Sequence, residues 1–164
     1  MSPTFFIELF KHFPPQLSTF LIAMLPVGEL RAAIPIALKY YELSYFSAYF
    51  WSVLGNMIPA FLIIKYIGGI SDYLSKKSKY LNQFFIWLFA KTRKKFDHNY
   101  NKYGMIALAL FVAIPLPATG AWSGSLAAWM FGLPKKKSLA YIFIGVLIAG
   151  LVVSLVSAGV FRLL

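Results

Sequence analysis

The stretch Leu139–Phe161 contains no charged residue, and no other feature constrains the chain so tightly. A run of roughly 20 apolar residues, each adding about 1.5 Å to a helix, matches the ~30 Å hydrocarbon core of a bilayer. Tyr45–Ile67 is a second such run, carrying Asn56, Pro59 and, near its end, Lys65. The rest of the chain agrees with a membrane as solvent. Hydrophobic residues make up 60% of the 164 and charged residues 13%, against about 45–50% and about 25% in soluble domains. So few charges cannot cover a water-facing surface, which excludes a soluble enzyme, a disordered chain and a collagen-like one. The chain has no cysteine, which excludes disulfides, thiolate metal sites and cysteine nucleophiles together.

Two further apolar stretches are too short to be clean spans. Leu17–Val27 is interrupted by Gly28-Glu29-Leu30-Arg31, and Gly104–Ile114 runs into Pro115-Leu116-Pro117-Ala118-Thr119-Gly120 before apolar character resumes at Leu126–Leu133. As a helix each leading arm is about 16–17 Å long, half the depth of the bilayer. The arms are joined through helix breakers: Gly28 and Pro35 in the first, Pro115, Pro117, Gly120 and Gly124 in the second. Irregular backbone at membrane depth survives only inside protein or against water. Two re-entrant hairpins satisfy that condition; a pair of kinked full spans is the alternative. Leu25-Pro26 recurs as Leu116-Pro117, and each break is followed by a short arm, a polar turn (Lys39–Ser44, Pro134–Ser138) and a long span. Broken helices at matching places in two halves point to a binding site at the repeat interface.

Charge sets the expected orientation. Sixteen Lys and Arg face five Asp and Glu, a net +11, with eight of the basic residues in 70–103 and three more at Lys135-Lys136-Lys137. Both clusters can be cytoplasmic only if Gly104–Leu133 enters and leaves by one face. The first hairpin then opens outside, and the halves are inverted. The expected fold is an all-α integral membrane protein, multi-pass in the inner (cytoplasmic) membrane, with an inverted repeat of two re-entrant helical hairpins and two long transmembrane helices. Its single domain divides into an interfacial helix (1–15; Phe6, Leu9, Phe10 and Phe13 at helical spacing), repeat 1 (16–69), a basic amphipathic cytoplasmic linker (70–103) and repeat 2 (104–164). The linker places Leu81, Phe84, Phe85 and Leu88 on one helical face among lysines, a pattern for anionic headgroups rather than nucleic acid. Gly150, Ser154 and Ala158 form a small-residue stripe, suited equally to the other span and to a homodimer seam. A homodimer is expected, because two spans and two hairpins offer little protein to cover broken backbone at Gly28, Pro117 and Gly120.

Glu29 and Arg31 are the sharpest candidates for function, since ionisable groups inside a membrane are costly. Two apart, they would not face each other on a regular helix, but in a broken segment they can converge. Glu29 is then the protonatable group and Arg31 the partner of a carboxylate or an anionic substrate. The second tip carries no charge. It offers backbone amides, the Thr119 and Ser123 hydroxyls and the Trp122 ring, shaped by Pro115, Pro117 and Gly120, with Pro35 beside the first tip. Asp97-His98 lacks companions at metal-ligand spacing. Trp122-Ser123-Gly124-Ser125 lacks the G-x-S-x-G pattern of a nucleophile elbow. No metal, cofactor or catalytic activity is expected.

Gly28-Glu29-Leu30-Arg31-Ala32-Ala33-Ile34-Pro35, together with the second tip and the Ser125-Leu126-Ala127-Ala128 that follows it, resembles the putative small multidrug export protein family of prokaryotes. That family is similar in layout to the DedA (VTT-domain) membrane proteins. The resemblance covers nearly the whole chain and implies two re-entrant hairpins facing each other, an inner-membrane location and a transport role. Ala118 stands where the family has Gly, and the arginine that DedA proteins carry in the second hairpin is missing here. The expectation is a transporter of an amphiphilic or anionic substrate, with proton coupling through Glu29. A DedA-like flippase or scramblase of polyprenyl-phosphate or phospholipid, and a non-transporting scaffold, are the alternatives.

Overall fold

The computed structural model describes residues 3–77, 83, 100–115 and 119–163, and every regular element among them is a helix. In chain order these are α1 (Pro3–Phe10), α2 (Pro15–Met24), α3 (Glu29–Lys39), α4 (Tyr45–Lys77), α5 (Tyr100–Ala113), α6 (Ala121–Met130) and α7 (Lys135–Leu163). α4 and α7, with 33 and 29 residues, are about 50 and 44 Å long at 1.5 Å per residue. Each contains a span long and apolar enough to cross a membrane, Tyr45–Tyr73 and Lys135–Gly159. α2, α3 and α6 have 10, 11 and 10 residues, about 15–17 Å, which is half that depth.

Local chemistry sets most of the breaks. Pro15 opens α2, where its missing N–H leaves no bond unmade. Leu25, held before Pro26, is extended (φ −74°, ψ 138°) and ends the helix. α5 likewise stops two residues short of Pro115. α6 closes on Gly132 at φ +65°, with Gly132 N–H donating to Trp129 C=O and Leu133 N–H to Ala128 C=O, both at 2.9 Å, a Schellman ending followed at once by Pro134.

Several expected boundaries move. Pro35 does not break the first hairpin; it lies inside α3, where a proline both takes away the donor for Arg31 C=O and crowds that carbonyl, a cost offset by α2, α4 and α7, which pack round the helix. The first break lies instead at Leu25–Gly28. α4 continues past Ile67 through Gly68-Gly69 to Lys77, across the expected boundary at residue 70. Two glycines, at about 1 kcal/mol each, do not end a helix already propagating. Lys135–Lys137 belong to the first turn of α7 rather than to a loop, because the ending at Gly132 completes the turn by Pro134. α1 ends at Phe10, and Phe6 is buried against α2 and α3 while Leu9 and Phe13 stay exposed. The linker face of Leu81, Phe84, Phe85 and Leu88, the Asp97-His98 pair and Leu116-Pro117-Ala118 lie outside the described residues.

The two long helices are antiparallel neighbours. Tyr49 OH donates to Leu147 C=O (3.1 Å), whereas Ile64, farther along α4, shares a cavity wall with Lys135 and Ser138 at the start of α7. The halves repeat one packing device. A Cβ on Gly55 of α4 would lie 2.2 Å from Phe20 O of α2, and one on Gly145 of α7 would lie 2.6 Å from Ala109 O of α5. Only glycine lets the shorter helix approach so closely. Gly150 also packs within the chain: its Cβ would lie 2.7 Å from the Tyr49 ring, so the small-residue stripe is occupied by α4 at that point. Polarity is arranged for hydrocarbon. Ser52, Asn56 and Ser125 are buried, while Phe46 and Leu155 are 77% and 72% exposed. In water that surface would be a large apolar patch; facing lipid it is the expected one.

Candidate functional site

The α2–α3 turn and the α5–α6 turn meet, and their polar groups bond across the junction. Glu29 opens α3 in the left-handed region at φ +45°, a conformation that costs a residue with a Cβ about 1–2 kcal/mol. This aims its carboxylate at the first turn of α6, where Trp122 N–H donates to Oε1 at 3.4 Å. The opening turn of a helix has unpaired N–H groups and the positive end of its dipole, so a carboxylate is favoured there. Gly120, just before α6, has φ +146° and ψ −167°, a region open essentially to glycine alone. A Cβ on it would lie 1.8 Å from Glu29 Oε2. The second tip therefore carries glycine where the carboxylate of the first tip must fit.

Arg31, on the next positions of α3, crosses in the same direction. Its guanidinium donates to both the backbone carbonyl and the hydroxyl of Thr119, the latter at 3.0 Å, and Thr119 Oγ1 in turn donates to Ile114 C=O at 2.6 Å. Glu29 and Arg31 do not pair with each other within 4.0 Å. Each converges on the second tip rather than on its neighbour. A third link runs from the Trp122 indole Nε1 to Met24 C=O (3.0 Å), which satisfies a carbonyl at the C-terminal end of α2.

On one side of this junction lies a cleft of about 600 Å³, lined by Pro26, Val27 and Leu126 with Glu29, Arg31, Thr119, Trp122 and Ser123. On the other is a void of about 10 Å³, walled by Asn56, Val112, Gly120 and Val146 together with Glu29 and Arg31. Glu29 and Arg31 line both. Glu29 is only 8% exposed, and Asn56, 1% exposed, has an Oδ1 without a hydrogen-bond partner. Asn56 and Val146 stand near the middle of the apolar spans of α4 and α7, so the junction lies at the centre of the long helices.

A family model described as "Putative small multi-drug export protein" matches residues 29–152, from Glu29 at the first tip to the middle of α7. The chain belongs to this small multi-drug export family. No curated protein and no solved structure matches it. The family match takes in Glu29 and Arg31 of the first tip, the described part of the second, all of α4, and α7 as far as Val152, and the membrane setting follows from the family together with the two apolar spans.

Within this family member the structure brings Glu29, Arg31, Thr119, Gly120, Trp122 and Ser123 together at one junction. Ser123 Oγ donates to Gly120 C=O at 3.4 Å and also faces the cleft. Pro35, one turn past Arg31 in α3, and Pro115, two residues beyond α5, are not among the residues lining the cleft. Pro117 lies outside the described residues. Sequence reasoning missed Asn56 and Met24. Asn56 carried a usable signal, an uncharged polar side chain in the middle of a span. Met24 contributes only a backbone carbonyl, which no residue type announces.

Proposed function

We propose that this chain is an inner-membrane transporter, not an enzyme, which moves an amphiphilic or anionic substrate with protons as the coupling ion. The observation that carries the reading is Glu29: a buried carboxylate that lines the cleft where the first tip meets Thr119, Gly120 and Trp122 of the second. A buried carboxylate in the wall of a cleft, able to gain and lose a proton, suits proton coupling. The cleft joins Arg31 to the apolar walls of Pro26, Val27 and Leu126, a combination that fits a substrate with both a charged and an oily part. In this reading α2–α3 and α5–α6 are re-entrant hairpins from opposite faces, related as an inverted repeat. The antiparallel course of α4 and α7 and the matching glycine contacts at Gly55 and Gly145 support it. The basic ends at Lys76-Lys77 and Lys135–Lys137 then face the cytoplasm.

Flux into proteoliposomes tests this, with an amphiphilic dye cation, an amphiphilic anion and a labelled polyprenyl-phosphate supplied separately under an imposed pH gradient. The expected result is gradient-driven flux of an amphiphile. Glu29→Gln keeps an acceptor for Trp122 N–H but cannot lose a proton; it should cut that flux at least about tenfold, ~1.4 kcal/mol in the barrier, while the protein stays folded. Movement of the lipid alone would transfer the chain to the flippases. No movement of any probe would make it a scaffold.

A further inference from the structure

A second cavity, apolar over most of its wall and polar at one side, lies at the start of α7, away from the Glu29–Arg31 junction. Its volume is about 210 Å³, with Ile64, Ala128 and Leu133 as an apolar wall and Lys135 and Ser138 at the polar side. The first hydrogen bond at this end of α7 runs from Ser138 N–H to Pro134 C=O (2.9 Å). The N–H groups of Lys135, Lys136 and Lys137 precede it and have no acceptor within the helix. They form the positive end of a 29-residue helix, an arrangement that attracts phosphate and other anions. An independent observation points the same way. Ser138 is 0% exposed, its hydroxyl has no hydrogen-bond partner, and it lines this cavity. A buried donor with no acceptor in the protein calls for one from outside it.

We propose that this cavity binds the phosphate of an anionic phospholipid, received by the α7 N-terminus, the Lys135 ammonium and the Ser138 hydroxyl. Free phosphate offers the same oxygens but would leave the wall of Ile64, Ala128 and Leu133 bare. A phospholipid covers both, its glycerol and upper chain lying on the apolar side. The antiparallel packing of α4 and α7 puts the exposed Lys76 and Lys77 at the same end of the molecule, so the site belongs to the leaflet that the basic residues select. Lipid binding here does not depend on transport and would persist in a chain that carried no flux.

The test uses the full chain in neutral detergent, with thermal unfolding followed after addition of phosphatidylglycerol, phosphatidylcholine or inorganic phosphate. Phosphatidylglycerol should raise the midpoint by several degrees more than phosphatidylcholine does. Ser138→Ala and Lys135→Gln should each remove most of that difference. Lys136→Gln leaves the backbone N–H in place and changes only an exposed side chain outside the cavity lining, so it should keep most of that difference. Because Ser138→Ala deletes an unpaired buried hydroxyl, its midpoint in phosphatidylcholine should be unchanged or higher, which separates loss of a site from loss of the fold. Should Ser138→Ala fail to fold, Lys135→Gln, at an exposed side chain, carries the same comparison. Retention of the full phosphatidylglycerol shift in Lys135→Gln would overturn the site. An equal shift from inorganic phosphate alone would overturn the lipid as its occupant.

Discussion

Gly120 shows how one residue's backbone can decide another's chemistry. Its φ is +146°, and a Cβ at that position would fall 1.8 Å from Glu29 Oε2, so alanine there meets two penalties together, one torsional and one steric. Gly120→Ala should lower stability by about 2 kcal/mol or more, read as a fall in the unfolding midpoint in detergent. The steric part belongs to the Glu29 carboxylate. In a Glu29→Ala background the same substitution should therefore be milder, and additive losses in the double variant would show that the two tips are not coupled there. Glu29 and Gly120 are both visible in the sequence as members of their own tips. Their contact is not, because about ninety residues separate them and nothing in either tip specifies what it meets.

At the scale of elements, the short helices lean on one another's ends. Trp122 N–H serves the Glu29 carboxylate and Trp122 Nε1 serves Met24 C=O, so a single residue of α6 holds the start of α3 and the end of α2. Trp122→Phe keeps an aromatic ring, though a smaller one, and removes the indole donor, leaving a carbonyl unsatisfied at the end of α2. The expected loss is ~1–3 kcal/mol, measured as a lower unfolding midpoint, with amide exchange faster in α2 than in α7. Equal protection of α2 in variant and wild type would mean that water replaces the indole. The breaks themselves are legible: Pro26, Pro115, Gly120 and Gly132 end or open helices for local reasons. Pro35 is not, because the same residue type can break a helix or ride inside one. Packing by α2, α4 and α7 decides which.

For the whole molecule, the antiparallel packing of α4 and α7 makes the proposed orientation testable. Lys77 and Lys136 are both exposed, at the end of α4 and the start of α7, and antiparallel packing brings those ends to one side. Single cysteines introduced as Lys77→Cys and Lys136→Cys should be labelled by an impermeant reagent from the same face of the membrane, and the native chain contributes no thiol of its own. Labelling from opposite faces would sink the hairpin topology and restore four full spans. Ser138 would be a poor labelling position despite its polar character, since it is fully buried. The Gly150 contact with Tyr49 also limits how copies of the chain could associate, because α4 already occupies that part of the stripe.

The sequence alone determined the membrane as solvent, the two long spans found among the described residues and the breaks at Gly28, Pro115 and Gly120, while Pro35 and Gly124 lie inside helices. Each of these depends on hydrophobicity summed over a window, or on the backbone limits of proline and glycine, and both are local. Tertiary structure decided where the charges go. The sequence placed Glu29 and Arg31 two apart and suggested that they converge, but the fold sends both across to Thr119, Gly120 and Trp122. It also brings Asn56 of α4 to the back of the same junction and Ser138 of α7 to a cavity of its own. Those placements depend on close helix approach at Gly55 and Gly145. Long-range packing of that kind depends on which surfaces fit together, and a residue's neighbours in sequence carry no record of its neighbours across the fold.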